Sequence, residues 1–342
     1  MSGTSLDGLD VAYCIFKKEN NWKYQIKFAT TYKYGLGLKK TLSSLHKKNI
    51  SFAKSMDVSF GKIIAQKVQR FINDNGIKKI DLISSHGHTV FHQPEKKITL
   101  QIGCGQTIAN ITSQQTINNF RKQDVLLKGQ GAPLVPIGDH YLFNEYDACI
   151  NLGGFANTSY CKKGKRIAYD ICPCNIILNL VSNKKGIEYD KNGMLAKKGK
   201  VIKKLLDNLN DLDFYKKPPP KSLGLEWVKK EIIPHVNMYN GINNVLRTLV
   251  EHIAIQVSKT AKGHSLTLLT GGGANNIFLT KRINTLSETK LIIPSKKITE
   301  YKEALIFSFL GVLKKLGENN VFATVTGAKK DHSSGDIYYP KN

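Results

Sequence analysis

The hydrophobic residues of this chain follow two spacings that alternate from one end to the other. Residues 9–16 and 24–34 alternate apolar and polar positions with many β-branched side chains, which predicts two consecutive strands joined as a hairpin. Residues 52–74 carry apolar side chains near helical spacing and stop at Asn75-Gly76, a pattern typical of a helix C-terminus. Because strands and helices keep alternating, the sequence predicts an α/β protein.

The second half of the chain begins like the first. Residues 148–161 and 166–173 predict strands joined by a basic turn, and helices follow them. The glycines and prolines of KGQGAPLVP, residues 128–136, interrupt regular structure, so we place a domain boundary there. The predicted domains are domain I, residues 1–136 with about 322–342, and domain II, residues 137–321.

Length and composition are those of a globular protein. The 342 residues suit two domains at roughly 150 residues each, and 41% hydrophobic residues supply enough apolar surface for a core. No apolar run approaches the roughly 18 residues that a membrane-spanning helix needs, and the first residues lack a signal-peptide pattern. We therefore expect a cytoplasmic protein with no membrane partner. The six cysteines have no C-x-x-C spacing, which favours free thiols over a zinc site.

The formal net charge of +25 raises the question of a polyanionic partner. The excess comes from lysines scattered in pairs, and no helix-turn-helix, RNP or zinc-finger signature accompanies them. We expect a solvated basic surface and no specific nucleic-acid binding. A small anionic substrate fits the sign of the charge equally well.

Three glycine turns carry the candidate phosphate chemistry, because main-chain N–H groups can approach an anion where no Cβ intervenes. They are GTSLDG at 3–8, NLGGFAN at 151–157 and TGGGANN at 270–276. A plain β-turn competes with this interpretation at the first, whereas a structural turn would seldom need the three glycines of the last. No Walker A loop and no G-x-G-x-x-G fingerprint occurs, so P-loop and Rossmann folds are excluded.

Phosphoryl transfer also requires a placed carboxylate, and Asp170 in YDICPCN is predicted to end a strand. Asp7, Asp10, Asp124 and Asp190 are rival candidates. An aspartate that opens a segment with asparagine and glycine, such as Asp190 in DKNG at 190–193, is more often a turn or cap residue. The residues therefore favour Asp170 as the catalytic base.

Two further groups of polar residues are candidates for substrate contact. SSHGHTVFHQP contains His86, His88 and His92 without a nearby cysteine or glutamate, so we favour substrate contact over zinc. Arg121 and Asp124 stand at helical spacing, and a structural salt bridge competes there with recognition of a carboxylate or phosphate.

Taken together, these motifs resemble the anhydro-N-acetylmuramic acid kinases over essentially the whole chain. The resemblance rests on eleven segments in the family's order and spacing: MSGTSLDGLD, HTVFH, QIGCGQTIA, FRKQDV, GQGAPLVP, NLGGFAN, YDICPCN, PPKSLG, TGGGANN, KEA and VTGA. It implies a two-domain actin-like ATPase (ribonuclease H-like) fold, shared with sugar kinases and heat-shock ATPases, with the active site in an interdomain cleft.

The implied reaction uses ATP and water to convert 1,6-anhydro-N-acetylmuramic acid to N-acetylmuramic acid 6-phosphate, in peptidoglycan recycling. Asp170 would take a proton from the attacking water, and Mg²⁺ would bridge the phosphates without a site built from protein residues alone. The family also implies a homodimer. The implied ATP-binding residues are Gly3, Thr4, Ser5, Leu6, Asp7, Gly8, Leu9, Asp10, Gly153, Gly154, Gly271, Gly272, Gly273 and Ala274. Those on the sugar side are His86, Arg121, Gln130 and Glu303.

The chain departs from common family residues at several positions, which are His88, Asn119, Ile171, Cys172 and Cys174. We interpret these as subfamily variation because Asp170, Pro173 and Asn175 persist. In the family a strand precedes Met-Ser-Gly-Thr, and here Met1 is that methionine, so we expect a truncated first strand. A non-catalytic nucleotide- or polyanion-binding relative and a kinase for another amino sugar remain alternatives.

Overall fold

The structure is a computed structural model that describes residues 1–3 and 6–341. The chain divides into two compact units, one of Met1–Leu142 with Tyr301–Asn342 and the other of Phe143–Glu300. Each unit combines helices with strands, so the predicted α/β class and the division into two parts are confirmed.

The first unit is built around two antiparallel hairpins and a small mixed sheet. Strands β1 and β2 pair with each other, β4 pairs with β5, and β6 lies between β12 and β3. Ser2 makes isolated bridges to Leu9 and to His88, so it joins the two hairpins. The elements are β1 (Gly8–Lys18), β2 (Trp22–Lys33), α1 (Leu36–Ser44), α2 (Ile50–Asp74), β3 (Ile83–Ser84), β4 (His88–Gln93), β5 (Ile98–Ile102), α3 (Gly105–Thr112), β6 (Thr116–Asn118), α4 (Lys122–Leu126) and α5 (Pro136–Leu142), and, after the second unit, α15 (Ala323–Thr326) and β12 (Asp336–Tyr338).

The second unit holds one larger sheet with helices packed against it. Its core combines buried side chains of the strands with those of the helices, α12 above all. The elements are β7 (Ala148–Leu152), β8 (Phe155–Lys162), β9 (Lys165–Pro173), α6 (Asn175–Asn183), α7 (Met194–Lys198), α8 (Lys203–Asn210), α9 (Asp213–Lys216), α10 (Leu225–Trp227), α11 (Ile233–Asn237), α12 (Ile242–Ala261), β10 (Leu266–Thr270), α13 (Ile277–Leu286) and β11 (Lys290–Ile292). Helix α14 (Lys296–Lys315) begins in this unit and continues into the first.

The sheet of the second unit has a diagnostic strand order. Its order is β11-β10-β7-β8-β9, and β8 runs antiparallel to both neighbours while β10 is parallel to β7 and to β11. Counted from β7 along the chain, this is the order 3-2-1-4-5 with the second strand reversed, which is the ribonuclease H-like arrangement. The carboxyl ends of β7, β9 and β10 consequently lie at the same edge of the sheet.

Local sequence accounts for several of these elements. The predicted hairpin of β1 and β2 is confirmed, with a bulge between Tyr13 and Cys14. Helix α2 ends as predicted, because Asn75 caps it and Gly76 adopts a positive φ of 58°. At its start, the side chain of Asn49 accepts a hydrogen bond from the N–H of Phe52 at 2.8 Å.

The strand that contains Asp170 and the segment 148–161 need correction, whereas the histidines lie at a short hairpin. Strand β3 ends at Ser84, and His88 opens a separate strand, β4, which pairs with β5, so residues 85–87 lie between the two strands. Asp170 does not end its strand, because β9 continues to Pro173 after a register shift opposite Ala156 and Asn157. The segment 148–161 is two strands, β7 and β8, joined at the glycine pair.

The division into units differs from the predicted domain boundaries. The chain first passes from one unit to the other between Leu142 and Phe143. It returns inside α14, between Glu300 and Tyr301. Phe309 explains much of the second difference, because its ring lies 5.3 Å from that of Phe16 in the first unit. Tyr301 has non-helical torsions, φ −115° and ψ 16°, so the helix is kinked at this crossing. In the described part of the chain, we find no helix with the length and apolar character to span a bilayer.

Candidate functional site

Asp170 lies on β9 opposite Asn157 of β8, near the carboxyl end of its strand. Its Oδ2 accepts a hydrogen bond from the main-chain N–H of Leu223 at 2.8 Å, and its own N–H donates to the carbonyl of Lys221 at 3.1 Å. Burial raises the pKa of Asp170, and the hydrogen bond from Leu223 opposes this rise. A half-buried carboxylate with one oxygen fixed and a raised pKa has the properties of a proton acceptor.

The two glycine turns of the second unit lie against each other. Gly271 has a φ of +86°, and a Cβ at this position would lie 2.5 Å from Oδ1 of Asn151. A Cβ on Gly273 would lie 2.8 Å from Cβ of Leu152. Both glycines are therefore required for the close approach of the turn after β10 to the turn after β7. The turn continues into α13, whose N-cap Asn276 accepts from the N–H of Leu279 at 3.1 Å.

Gly153 and Gly154, in the turn after β7, are hydrogen-bonded to the start of α6. The carbonyl of Gly154 accepts from the N–H of Cys174 at 2.8 Å, and that of Gly153 accepts from the N–H of Asn175 at 3.1 Å. Gly154 is exposed, with no heavy atom within 4 Å of an added Cβ, and Gly272 meets only the Asn175 amide at 3.8 Å. The surfaces of Gly154 and Gly272 are thus open to a ligand, whereas Ala274 is buried.

The predicted nucleotide hairpin of the first unit is described only in part. Thr4 and Ser5 lie outside the described residues, which for this hairpin are Gly3, Leu6, Asp7, Gly8, Leu9 and Asp10. The N–H of Leu6 donates to the carbonyl of Gly3 at 3.3 Å, and Leu6 has a positive φ of 58°. The side chain of Leu9 is in the core, so only its main chain could meet a ligand. Asp7 is exposed.

Arg121 connects several parts of the first unit. Its Nε donates to Nε2 of His86 at 2.9 Å, and its Nη1 donates to the carbonyl of Gly131 at 2.7 Å. The ring of Phe307 lies 4.5 Å from that of His86 and 6.0 Å from the guanidinium. Burial, helped by the charge of Arg121, lowers the pKa of His86 well below its usual value, so this ring is neutral. Burial lowers the pKa of Arg121 to about 10, which leaves the guanidinium charged.

Asp124 holds the turn that contains Gln130. It is fully buried; Oδ2 accepts from the N–H of Gly131 at 2.6 Å and Oδ1 from the hydroxyl of Thr326 at 2.7 Å. A Cβ on Gly129 would overlap the Asp124 carboxylate, which explains a glycine at that position. The N–H of Gln130 donates to the carbonyl of Thr326 at 2.8 Å while its side chain is exposed. Asp124 therefore shapes this turn and is not presented to a substrate.

Glu303 and Asp10 are two carboxylates that influence each other within the first unit. Glu303 lies on α14, and although its side chain reaches solvent, the surrounding protein desolvates it and raises its pKa. The charge of Arg121 opposes this rise and that of Asp10 adds to it. Burial also raises the pKa of Asp10, against a 2.6 Å hydrogen bond from Thr31. Arg121 thus bonds to His86 and interacts through its charge with Glu303.

The remaining candidates have structural partners. His88 lies 3.0 Å from the hydroxyl of Ser2, and His92 lies 3.1 Å from the hydroxyl of Thr99. Asp190 accepts from the N–H groups of Leu195 and Ala196 at 2.8 and 2.9 Å, so it caps α7. Among residues 1–3 and 6–341, no group of three or more histidine, cysteine, aspartate or glutamate side chains could hold a metal ion.

A model of the anhydro-N-acetylmuramic acid kinase family matches residues 1–340. The chain belongs to this family. A relative with that name from Sulfurovum sp. (strain NBC37-1) is 33% identical over 355 residues, covering 99% of this chain and 97% of the relative. Another from Vibrio cholerae is 32% identical over 365 residues, with the same coverage of both chains.

Among solved structures, a ROK family glucokinase from Streptomyces griseus is 11% identical, with a TM-score of 0.32 over 67% of this chain and 82% of that protein. A similarity at this level carries no argument about ligands. The assignment to the anhydro-N-acetylmuramic acid kinase family therefore rests on the sequence match, and the ribonuclease H-like strand order agrees with the fold class predicted from the same resemblance.

Three contributions in this anhydro-N-acetylmuramic acid kinase family member were missed by sequence reasoning. They are the main-chain N–H of Leu223 on Asp170, the Phe307 ring beneath His86 and Arg121, and the role of Asp124 in holding the Gln130 turn. A main-chain donor leaves no side-chain signature, and Phe307 is 221 residues from His86 and 186 residues from Arg121. The one available signal was Gly129, whose lack of a side chain pointed to a close neighbour.

Proposed function

We propose that this chain is an ATP-dependent kinase that opens 1,6-anhydro-N-acetylmuramic acid with water and phosphorylates the released O6. The product is N-acetylmuramic acid 6-phosphate, and the setting is peptidoglycan recycling in the cytoplasm. The family match over residues 1–340 carries this proposal, because it spans both units and all the candidate residues. Two observations support it: a half-buried carboxylate at 170, and the open glycines Gly154 and Gly272 in turns that follow two strands of the same sheet.

Asp170 is the proposed base. In this mechanism the proton of the attacking water passes to the carboxylate while the water oxygen bonds to the anomeric carbon. The bond from that carbon to O6 breaks, and O6 attacks the γ-phosphorus as ADP leaves. The raised pKa of Asp170 makes the carboxylate a stronger proton acceptor than an exposed aspartate. Its Oδ2 already accepts from Leu223, which leaves Oδ1 for the water.

The glycine turns are the proposed nucleotide contacts. In the second unit, Gly154 and Gly272 expose main chain next to the carboxyl ends of β7 and β10. Backbone without a Cβ allows a phosphate or a planar ring to approach closely. In the first unit the hairpin at 3–10 would contact the phosphates.

Mg²⁺ is the proposed metal, and the charges near the hairpin fit it. The negative charge of Asp10 contributes to the raised pKa of Glu303, because two nearby carboxylates repel each other when both are ionised. A divalent cation there would relieve this repulsion. Asp10 would hold it together with ATP oxygens, and a bound Mg²⁺ would neutralise charge that develops on the phosphates.

Arg121, Gln130, His86 and Glu303 are the proposed sugar-side residues. The guanidinium is charged, and among the described residues two of its nitrogens donate hydrogen bonds, to His86 and to Gly131. The lactyl carboxylate of the sugar is a partner of suitable charge. The neutral His86 fixes the orientation of Arg121 without competing for that carboxylate. We propose in addition that the protein forms a homodimer, which analytical ultracentrifugation would test.

The decisive experiment measures ADP formation with and without 1,6-anhydro-N-acetylmuramic acid, in ordinary and in ¹⁸O-labelled water. We expect turnover only with the anhydro sugar and one ¹⁸O atom in the sugar phosphate, detected by mass spectrometry. Turnover with other amino sugars alone would indicate a different kinase. Salt-sensitive polyanion binding without any turnover would replace the proposal with a non-catalytic binding function.

A further inference from the structure

The segment after α9 lies along the open edge of the second unit's sheet. Strand β9 is an edge strand, and the carbonyl of Lys221 pairs with the outward N–H of Asp170 at 3.1 Å. Two residues later, the N–H of Leu223 donates to the Asp170 side chain at 2.8 Å. Thus the same short segment fixes both the main chain and one carboxylate oxygen of Asp170. The inference that follows rests on the proposed role of Asp170 as the base.

This segment needs an anchor, because it carries three consecutive prolines and exposed residues from Lys216 to Pro220. Lys221 supplies one. Its Nζ donates to the carbonyl of Phe214 at 3.1 Å and lies 4.6 Å from the Phe214 ring centroid and 5.7 Å from that of Tyr169. A cation between two aromatic faces with a carbonyl acceptor is a specific, partly desolvated contact.

The aromatic residues around the Lys221 side chain are themselves packed in the second unit. The Phe214 side chain is buried, and its ring lies 5.3 Å from that of Trp227. The neighbouring Tyr215 hydroxyl lies 2.9 Å from Nε2 of His252, a buried residue of α12. Tyr169 precedes Asp170 on β9, so the lysine contacts the strand next to the carboxylate that its main chain holds.

We propose that Lys221 is a positioning residue for Asp170. Its side chain, fixed on Phe214 and Tyr169, holds the segment 221–223 against β9, so that the N–H of Leu223 stays on Oδ2 and Oδ1 is the oxygen that accepts the proton of the attacking water. Lys221 contacts no reacting atom in this scheme. It acts by fixing the direction of the Asp170 carboxylate.

The test compares four variants with the unaltered protein. Lys221→Met keeps the aliphatic stem but removes the ammonium, and Lys221→Arg keeps a cation that can lie on both rings. Phe214→Leu removes one ring while the lysine charge remains, which separates anchoring from simple loss of charge. Lys217→Met removes an exposed lysine of the same segment and is the matched control. Thermal unfolding of each variant establishes that it is folded.

Two readouts distinguish positioning from general stability. Misplacing a catalytic group by about 1 Å can cost about 100-fold, so we expect Lys221→Met and Phe214→Leu to lower kcat by about 10- to 100-fold with the KM for ATP unchanged. The hydrogen bond from Leu223 lowers the pKa of Asp170, so its loss should raise that pKa further. The acid limb of the kcat profile, and the ¹³C carboxyl titration of Asp170, should both move to higher pH.

Recovery of kcat and titration in Lys221→Arg, with Lys217→Met like the unaltered protein, would support the assignment. An Asp170 carboxyl signal that titrates in folded Lys221→Met as it does in the unaltered protein would overturn it. The NMR titration does not depend on turnover. If the unaltered protein shows no sugar-dependent ADP formation, the proposed function fails, and the titration still decides whether Lys221 positions Asp170.

Discussion

Asp170 in the second unit and Asp124 in the first are both removed from solvent to some degree, yet their surroundings are opposite. Asp124 is completely buried, and both of its oxygens accept hydrogen bonds, from Gly131 and from Thr326. Asp170 is half-buried, and among the described residues it has one hydrogen-bonded oxygen, fixed by Leu223. A carboxylate with both oxygens occupied holds its own surroundings in place, whereas one with a free oxygen remains available for proton transfer.

The largest effect that this comparison predicts is on turnover. Asp170→Asn removes the base but preserves shape, so sugar-dependent ADP formation should fall by about 10³-fold or more. Stability should not fall, because the raised pKa means that the folded state disfavours the ionised carboxylate. A coupled ADP assay with calorimetric unfolding measures both. Retained turnover would show that Asp170 is not the base, and the contrast with Asp124 would then say nothing about catalysis.

Asp124→Ala should have the reverse profile. It leaves the buried Gly131 N–H and the Thr326 hydroxyl without their acceptor, and we expect a loss of about 3 kcal/mol in the free energy of unfolding. Because the Gln130 turn loosens, the KM for the sugar should rise more than kcat falls. Urea titration and steady-state kinetics check the two parts. Full stability in this variant would show that the contacts of Asp124 are weak ones.

The pH dependence sharpens the comparison. Asp170 must be ionised to accept a proton, so kcat should fall as pH decreases through its pKa, which burial raises above the usual value of 3.8. The activity is therefore present above that pKa and lost below it. A pH profile at saturating substrate, with intrinsic fluorescence as the control for unfolding, measures this limb. A limb at or below the ordinary carboxyl range would contradict the burial that the structure shows.

The smallest effect concerns Asp190, an aspartate with a capping role. Its two oxygens accept from the N–H groups of Leu195 and Ala196 at the start of α7. Asp190→Ala should cost about 1 kcal/mol of stability and leave kcat and KM unchanged. Chemical denaturation detects this loss. A marked fall in kcat would mean that capping contacts alone do not identify a structural aspartate.

Much of the fold could be predicted from local pattern, because the β1–β2 hairpin, α2 with its Asn75-Gly76 end and the glycine turns each depend on neighbours in sequence. The choice of Asp170 over Asp190 also followed from local context. The Asp124 result did not, since its partners include Thr326, about 200 residues away. Arg121 was expected to choose between Asp124 and a ligand; its hydrogen bonds go to His86 and Gly131 instead, pairings that only tertiary structure creates.

The predicted domain boundary at residues 128–136 also shows that local sequence does not reveal distant partners. Glycine and proline in residues 128–136 indicated a linker, yet Gly129, Gln130 and Gly131 are all hydrogen-bonded within the first unit. Composition identifies irregular backbone, but it does not reveal whether that backbone is exposed or held by distant residues.

The segment on the β9 edge has a consequence beyond the orientation of Asp170. An edge strand with unpaired N–H and C=O groups is a template for strands of other molecules, and proteins commonly cover such edges. Since the carbonyl of Lys221 occupies the Asp170 N–H, the segment also shields this strand from intermolecular pairing. Release of the segment would therefore expose unpaired main-chain groups of β9. Variants that misplace Asp170 in this way should also self-associate through this strand.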